Sequence, residues 1–342
     1  MSKKIITLIL LALGVTAQSF ANTSDLPGYT SQTNIDYVGD NHIGHKFDIY
    51  YPKDGKAKHP VIIHVYGSAW QMNNMKGTDA ETVGVAALEA GYILVTPNHR
   101  SVYDALFPAQ INDIKAVVRY LRGNADKYGI DTSFIAMSGF SSGGHLSVLM
   151  GVTRNVREHN VGSVTMDIEG SIGKYTKESS WIHAVCEWSA PIDEEDKNCG
   201  TSLLPDDVLD ALVGCSKTNC PDKHVIYGAY TYLDASDAPM MLVYGKSDQV
   251  VPYCMGKKFY DNLRTIGIDA EMYSHDGVHE VAAEFTDEMI TFFNRIKAAN
   301  ASSAIQTLNH QSPITNHKSI INGHLYIHHG NQTFNAQGAR VE

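Results

Sequence analysis

Short apolar segments alternate with longer amphipathic segments between Lys46 and Ile296. The apolar segments hold four to six residues, and several are bounded by glycine or proline, which is typical of strands buried on both faces of a parallel sheet. In the amphipathic segments, apolar residues recur at helical spacing. This alternation predicts an α/β fold, with helices on both faces of a mostly parallel, twisted sheet. The predicted strands are residues 46–51, 61–65, 92–96, 134–137, 183–188, 240–244 and 270–273, and the predicted helices are residues 80–90, 111–121, 145–151, 256–263 and 282–296.

The amino-terminal residues have the order of a secretory signal peptide. Two lysines precede an apolar segment over residues 5–15, and small residues follow at Ser19 and Ala21. A membrane anchor is the alternative, but this apolar segment is too short to span a bilayer. We therefore predict a signal peptide over residues 1–21 and a mature chain that starts at Asn22. The mature protein is expected to be secreted, periplasmic or at the cell surface, with no membrane contact after cleavage.

The composition changes near the carboxyl terminus. From Ala298 onward, alanine, serine, asparagine, glutamine and histidine dominate, which is typical of a linker. We therefore predict one large domain over residues 22–298, a linker over residues 299–319 and a short tail over residues 320–342. Apolar residues alternate within the tail and predict a small hairpin that turns at residues 330–331.

The charge of the chain excludes some classes of partner. Its 342 residues carry a formal net charge of −10, from 27 lysines and arginines against 37 aspartates and glutamates. No long basic segment is present, so a nucleic-acid partner is not expected. The histidines of the tail lack carboxylates at ligand spacing, and we predict neither a metal site nor a cofactor.

Five cysteines are compatible with an oxidising compartment. Cys199, Cys215 and Cys220 lie close together in a polar stretch, where we predict a disulfide between Cys215 and Cys220, with Cys199 as the alternative partner. Cys186 lies in an apolar predicted strand and is expected to be buried. The sequence suggests no partner for Cys254.

One segment matches the pattern of a nucleophilic serine. Residues 139–143 read Gly-Phe-Ser-Ser-Gly, which fits G-x-S-x-G, a pattern with little specificity by itself. Here it follows the predicted strand over residues 134–137 and precedes a predicted helix, as a nucleophile elbow requires. A phosphate-binding turn is the alternative, but the chain has neither a G-x-G-x-x-G pattern nor a Walker lysine. We therefore predict that Ser141 is the nucleophile.

A serine hydroxyl needs a base to accept its proton and an acid to orient that base. Where such an elbow is used, the order along the chain is Ser, Asp or Glu, then His. Asp248 follows the predicted strand over residues 240–244, at the end where open α/β sheets place functional side chains. His279 lies ahead of the last predicted helix, beyond a turn at Gly277, and we predict that it is the base. His275 is the rival, although its position at a strand end also suits a structural hydrogen bond.

The loop after the second predicted strand reads Tyr-Gly-Ser-Ala-Trp and is the expected oxyanion hole. We predict that the backbone N–H groups of Ser68, Ala69 and Ser142 stabilise the oxyanion. Trp70 and Trp188 are candidate substrate-binding residues. For Trp70, anchoring of the loop is an equally weighted alternative.

Several motifs in this order resemble the esterase/lipase branch of the α/β-hydrolase superfamily, and within it bacterial feruloyl- and acetyl-esterase-like enzymes. The resemblance extends from Phe47 to Ile296. It implies the α/β-hydrolase fold, with a small insertion before the strand that bears the acid. The motifs that carry the resemblance are residues 98–101, 107–109, 139–146, 188–193 and 248–252.

One motif departs from the family pattern. The family usually has His-Gly-Gly-Gly or His-Gly-Gly-Ala ahead of the tryptophan, whereas this chain has Tyr66, Gly67, Ser68 and Ala69. Because the oxyanion donors are backbone groups, the hole is retained if these residues keep φ below zero. The tyrosine puts the usual side-chain anchor of this loop in question.

The resemblance implies serine-dependent hydrolysis of short-chain or aromatic-acid carboxylic esters, by analogy acetyl or feruloyl groups on plant polysaccharide. A serine peptidase of the prolyl-oligopeptidase type is one alternative, but such enzymes usually carry a long amino-terminal propeller, and only about 25 residues of the predicted mature chain precede the first predicted strand. A non-catalytic binding module is the other, against which the presence of Ser141, Asp248 and His279 argues. The tail over residues 320–342 is similar to the carboxyl-terminal sorting tails of exported Bacteroidetes proteins.

Overall fold

A computed structural model describes residues 26–192, Cys199, residues 206–310, and four strands at residues 317–321, 324–329, 332–335 and 340–341. The chain divides into two compact units, one that ends at Ile296 and one from Lys297 to Glu342. The predicted signal peptide lies outside the described residues. Among the described helices, none is both long and apolar enough to cross a membrane.

The strands of the first unit include every strand that the sequence pattern predicted. They are β1 (Thr30–Asp36), β2 (Lys46–Tyr51), β3 (His59–Val65), β4 (Ile93–Pro97), β5 (Ile130–Phe140), β6 (Glu158–Val161), β7 (Val164–Asp167), β8 (Ala184–Trp188), β9 (Met240–Gly245) and β10 (Ala270–His275).

Eight of these strands form one sheet in the order β1-β2-β4-β3-β5-β8-β9-β10, while β6 and β7 form a separate hairpin. β2 pairs antiparallel with β1 and β4, and the strands from β4 to β10 in this order pair in parallel. The carboxyl ends of the parallel strands therefore lie along one edge, where open α/β sheets place their functional loops. This is the α/β-hydrolase arrangement expected from the sequence.

Helices follow most of the parallel strands. They are α1 (Val85–Glu89), preceded by a π-helical turn at Ala80–Gly84, α2 (Ala109–Gly123), α3 (Ala125–Tyr128), α4 (Ser142–Val152), α5 (Asp206–Val213), α6 (Pro221–Tyr227), α7 (Tyr253–Thr265) and α8 (Thr286–His310), with short 3-10 turns at Ile43–His45, Ala229–Tyr232 and Ala283–Phe285.

The central strands are buried on both faces, which explains their continuous apolar sequence. Successive side chains of β3 point to opposite faces. Ile63 belongs to the core cluster that includes Ile114 of α2, whereas Ile62 packs in a second cluster with Phe292 and Phe293 of α8. Removal of these apolar surfaces from water is the main force that holds the helices against the sheet.

Helix α8 continues into the stretch that was predicted as a linker. The sequence predicted a linker over residues 299–319, but the helix extends to His310, so the prediction is wrong for its first part. Three of the five residues at positions 297–301 are alanine, the strongest helix former. Ile296 is the last buried residue of the helix among those whose burial is described, so the change in composition marks the end of burial rather than the end of the helix.

The second unit contains a four-stranded antiparallel sheet, larger than the predicted hairpin. Its strands are β11 (His317–Ile321), β12 (His324–His329), β13 (Gln332–Asn335) and β14 (Arg340–Val341), paired in that order. His329 pairs with Gln332, and these residues flank the predicted turn at residues 330–331, which itself lies outside the described residues. A sheet of this size has more pairing than an isolated hairpin, which is marginal in water.

The predicted disulfide between Cys215 and Cys220 is present, with 6.2 Å between the two Cα atoms. Cys199, the alternative partner, is instead bonded to Cys254, with a Cα–Cα distance of 5.4 Å. Cys186 is buried and free, as its apolar surroundings predicted. The Cys199–Cys254 bond ties the insertion before β9 to the first turn of α7, which follows the loop that bears Asp248.

We expect the two disulfides to differ in their contribution to stability, because they join residues 55 and 5 positions apart. From loop closure alone, replacing Cys199 and Cys254 by alanine should lower the free energy of unfolding by about 4 kcal/mol, against about 2 kcal/mol for Cys215 and Cys220. Urea unfolding of the two double variants without reductant measures both values. Equal losses would contradict the dependence on loop length.

Candidate active site

Ser141 lies at the tight turn between β5 and α4, with φ 52° and ψ −121°. Positive φ is rare for residues other than glycine and marks a strained turn that the surrounding structure must hold. The Ser141 N–H donates to the carbonyl of Trp188 at 2.9 Å, which fixes the turn against β8. A Cβ at Gly139 would overlap the carbonyl of Gly143, so the first glycine of the motif lies too close to the second to carry a side chain. The motif therefore forms the predicted nucleophile elbow.

Asp248 and His279 meet at the same edge of the sheet. The Nδ1–H of His279 donates to Oδ2 of Asp248 at 2.7 Å. The other carboxylate oxygen accepts the N–H groups of Val250 and Val251, at 2.8 and 2.9 Å. Because Nδ1 faces a carboxylate, the proton is assigned to Nδ1, and Nε2 carries the lone pair. The predicted acid thus orients the predicted base.

The ring of His279 packs beside the elbow. Its centroid lies 4.8 Å from that of Phe140, the residue before Ser141. Within the described part of the chain, the buried Nε2 atom of His279 has no hydrogen-bond partner. In structures without substrate, catalytic hydrogen bonds are often not yet formed. The nitrogen that a catalytic base needs is therefore free at the elbow.

The loops that carry the acid and the base are held together by their backbones. The N–H of Lys246 donates to the carbonyl of His275 at 2.7 Å, and the N–H of Ser247 donates to that of Gly277 at 3.0 Å. Nδ1 of His275 accepts the N–H of Gly277 at 3.2 Å. The rival histidine thus has the structural hydrogen bond that the sequence offered as its alternative role, and it does not bond to Asp248.

The oxyanion loop differs from expectation at two of its predicted donors. The N–H of Ser68 donates to the side-chain Oγ of Ser142 at 2.8 Å, so this donor is already engaged. Ala69 has φ 49° and Trp70 has φ 57°, so the condition that φ stay below zero is not met. The N–H of Ala69 has no partner among the described residues, and that of Ser142 begins a helix, where no intrahelical acceptor exists. Ala69 and Ser142 are the donors that remain available.

Ser142 stands at the amino terminus of the 11-residue helix α4. The helix dipole places partial positive charge at this end, where negative charge is stabilised. A Cβ at Gly143 would overlap the carbonyls of Val65 and Tyr66, so the glycine allows the oxyanion loop to lie directly on the first turn of the helix. The geometry suits an oxyanion formed at Ser141.

Tyr66 supplies the anchor that the family motif normally takes from histidine. Its hydroxyl donates to the carbonyl of Met72 at 3.0 Å, which closes the loop on itself. Its ring stacks on His99 with 5.0 Å between centroids and 14° between planes. Burial raises the pKa of the Tyr66 hydroxyl, so it remains a hydrogen-bond donor at all physiological pH values.

Replacing Tyr66 by phenylalanine should lower kcat for a nitrophenyl ester by about tenfold and leave KM within about threefold, since the loss would fall on transition-state stabilisation. The ring and its stacking on His99 are retained, so the variant removes the hydrogen bonds of the hydroxyl, including the one to Met72. Steady-state kinetics and a melting curve check this. A drop in melting temperature with unchanged kcat would show that the hydroxyl stabilises the fold without positioning the loop.

The two tryptophans predicted as substrate contacts are packing residues instead. Trp70 is 1% exposed, and its ring meets His145 edge-on at 5.1 Å. Trp188 is completely buried, and its indole N–H donates to Oγ of Ser138 at 3.0 Å. For Trp188 the predicted substrate contact is wrong, because a completely buried side chain offers no surface to a substrate. For Trp70, the burial fits the loop-anchoring alternative.

A buried carboxyl group, Glu187, was missed by the sequence analysis. It lies on β8, and Oε2 accepts the N–H of Ala190 at 2.8 Å. Burial raises the pKa of this side chain well above its ordinary value. Tyr244 donates from its hydroxyl to the carbonyl of Ala190 at 2.7 Å. Together these contacts hold the segment after β8, next to the elbow. In the sequence, the position of a glutamate inside an apolar strand was the signal that could have identified this residue.

Across the described residues there is no group of three or more histidines, cysteines, aspartates or glutamates arranged to hold a metal ion. The arrangement at this edge of the sheet suits acyl transfer. It comprises a serine in a strained turn, a histidine hydrogen-bonded to an aspartate, and two backbone donors that have no partner among the described residues.

Sequence and structure comparisons place these residues among known proteins. The BD-FAE family model matches residues 47–263. A truncated carbohydrate esterase from gut microbiota is 36% identical with a TM-score of 0.75, and the match covers 79% of this chain and 96% of that one. A bifunctional GH43-CE protein of Bacteroides eggerthii is 39% identical with a TM-score of 0.74, over 78% of this chain and 35% of that one.

Curated relatives are more distant. A probable carboxylic ester hydrolase of Mycobacterium tuberculosis, LipM, is 24% identical over 77% of this chain, and the chain spans 60% of that relative's length. It spans 52% of the esterase LipC of the same organism, with which it is 27% identical. The family match, in contrast, covers well over half of the chain. The chain therefore belongs to the BD-FAE family, in the esterase branch of the α/β-hydrolases.

Proposed function

We propose that this protein hydrolyses carboxylic esters through an acyl-enzyme formed on Ser141, with His279 as base and Asp248 as its orienting acid. The observation that carries the proposal is the 2.7 Å hydrogen bond from His279 to Asp248, formed by a ring that packs beside the strained elbow. The names of the relatives, carbohydrate esterase and carboxylic ester hydrolase, support the same reaction class.

The first half-reaction forms the acyl-enzyme. Nε2 of His279 takes the proton of the Ser141 hydroxyl as Oγ bonds to the ester carbonyl carbon, and the carbonyl electron pair moves onto oxygen. The N–H groups of Ala69 and Ser142 donate to this oxyanion. When the intermediate collapses, the bond to the alcohol oxygen breaks, and His279 gives its proton to the departing alkoxide.

The second half-reaction releases the acid. Water enters, His279 accepts one of its protons, and the hydroxide oxygen bonds to the acyl carbon. Collapse of the second tetrahedral intermediate breaks the bond to Ser141 Oγ, which recovers the proton from His279. Asp248 keeps the histidine ring oriented throughout, since one carboxylate oxygen accepts its Nδ1–H and the other is fixed by the N–H groups of Val250 and Val251.

For the substrate, we propose an ester of a short-chain or aromatic acid, acetyl or feruloyl, on plant polysaccharide. The resemblance of the motifs to feruloyl and acetyl esterases supports this, as do the relatives whose names include carbohydrate esterase and GH43-CE. We also propose that the chain is exported with cleavage before Asn22, on the strength of the signal-like sequence; the mass of the mature protein would give its first residue.

The experiment compares wild type with Ser141→Ala on nitrophenyl esters of increasing acyl length, methyl ferulate and acetylated xylan. We expect the highest kcat/KM for acyl groups of about two to four carbons, release of acetate from xylan, and no turnover by the variant above about one part in 10⁴. Turnover by Ser141→Ala near the wild-type rate would refute the serine mechanism. Absence of release from both xylan and methyl ferulate would refute the proposed substrate alone.

A further inference from the structure

Tyr103 is a large aromatic residue on the surface beside the site, 61% exposed. It lies in the loop that follows β4, at the edge of the sheet where the oxyanion loop follows the neighbouring strand β3. The N–H of Val102 donates to the carbonyl of Trp70 at 2.9 Å, so the two loops lie against one another. Trp70 directly follows Ala69, a proposed oxyanion donor, and Tyr103 directly follows Val102. Tyr103 therefore lies in a loop that packs against the loop that carries this donor.

The ring of Tyr103 is held although it is exposed. Its hydroxyl donates to Oε1 of Gln71 at 3.3 Å. Gln71 is only 9% exposed, and its own N–H is bonded to the carbonyl of Ser68 at 3.0 Å, so the acceptor is fixed to the oxyanion loop. A ring held in one orientation loses little conformational entropy when a ligand packs on its open face.

Polar side chains lie in the two loops that meet at Tyr103. Nδ2 of Asn73 donates to Oδ2 of Asp104 at 2.8 Å, and the same oxygen accepts the N–H and hydroxyl of Ser101 at 2.8 Å. Nε2 of Gln71 is buried without a hydrogen-bond partner in the described part of the chain. An exposed aromatic face with amide and carboxylate groups around it matches a pyranose ring, which has an apolar C–H face and hydroxyl groups at its edge. An apolar acyl chain would use the ring but leave the polar groups unmatched.

We propose that Tyr103, with Gln71, Asn73 and Asp104, binds a sugar unit of the carbohydrate that carries the ester. We call these four residues the Tyr103 patch. This inference rests on the proposed function and adds to it the surface that recognises the alcohol side of the substrate.

The test measures KM and kcat of Tyr103→Ala and Tyr103→Phe on three substrates, namely an acetylated xylo-oligosaccharide, nitrophenyl acetate and methyl ferulate. Tyr103→Ala should raise KM for the oligosaccharide roughly tenfold relative to the two small esters, and Tyr103→Phe, which keeps the ring, should raise it by about threefold or less. Val225→Ala is the matched control, since Val225 is an exposed apolar residue, 42% accessible, on α6.

The pattern of loss across the three substrates shows what Tyr103 contributes. An equal loss on all three substrates would mean that Tyr103 supports the oxyanion loop, and a loss confined to methyl ferulate would mean that it binds the acyl group; either result overturns the inference. So would a rise in KM for the oligosaccharide of the same size in Val225→Ala.

A binding measurement keeps the inference separate from the proposed substrate. Unacylated xylohexaose is titrated calorimetrically into full-length Ser141→Ala and into the Ser141→Ala, Tyr103→Ala double variant. Binding that weakens roughly tenfold in the double variant supports the sugar site even if wild type releases no acetate from xylan. Equal affinity of the two proteins, or no binding to either, overturns the sugar site even if ester hydrolysis is confirmed.

Discussion

Replacing His279 by alanine should lower kcat for nitrophenyl acetate by about four to six orders of magnitude, whereas His275→Ala should lower it by less than about tenfold. His275 ends β10 and His279 follows four positions later, so this pair is a matched comparison. Of the two, His279 bonds to Asp248 and packs its ring beside the elbow. His275 accepts a backbone N–H from Gly277 instead, so we expect it to have no part in proton transfer.

Two further variants test whether Ser141, Asp248 and His279 act together as a catalytic triad. Asp248→Asn should cost about 10⁴-fold in kcat, because an amide in this position favours the wrong tautomer of the histidine. Ser141→Ala combined with His279→Ala should be no slower than either single variant, since residues that act as one unit do not contribute additively. If His275→Ala proves the more damaging histidine change, the assignment of the base is wrong.

The strands that the sequence predicted well are those buried on both faces. β3, β4, β8 and β9 are continuous apolar segments because helices cover both sides of the sheet there. β1 was missed, since most of its side chains are exposed or half-buried and it pairs only at the edge of the sheet. The hairpin of β6 and β7 was missed for the same reason, because its stability comes from pairing rather than from an apolar pattern.

The triad could be predicted because each member follows the carboxyl end of a strand in a fixed chain order. The oxyanion loop could not, because its shape depends on a contact between residues 74 positions apart, in which the Ser68 N–H donates to the Ser142 hydroxyl. That contact and the positive φ of Ala69 have no local signature, since alanine normally avoids this region. The partner of Cys254 could not be predicted for the same reason, since Cys199 lies 55 positions away along the chain.

The two tryptophans show that the position of a residue in the sequence is not enough to predict whether its side chain contacts substrate. Trp70 and Trp188 both occur in motifs near the site, and both were candidate substrate-binding residues, with loop anchoring an equal alternative for Trp70. Whether a side chain at the end of a strand points into the core or across the site depends on backbone direction, which the sequence does not specify. Tyr103, which belongs to none of the motifs, is an exposed aromatic residue at this edge in the part of the chain that the structure describes.

Replacing Gly67 by alanine should lower kcat by about 10² to 10³-fold, the loss expected when an oxyanion donor is misplaced. The backbone of Gly67 is outside the left-handed region, so alanine meets no conformational penalty there. Its Cβ, however, would lie 2.7 Å from the Phe140 ring and 2.8 Å from the Cβ of Ser141. Since neither the ring nor the elbow can yield without moving the nucleophile, the oxyanion loop must shift away from Ser141.

Gly84→Ala is the control for an ordinary packing clash, because its Cβ would meet the Leu94 side chain at 2.5 Å, within a helical turn that carries none of the site residues. Both variants should melt below wild type, but Gly84→Ala should keep kcat within about twofold. In Gly67→Ala, kcat should fall while KM changes little, since the donors act on the oxyanion and not on the bound ester. If kcat falls equally in the two variants, the effect is a general loss of packing, and the close approach of Gly67 to Ser141 does not position the oxyanion loop.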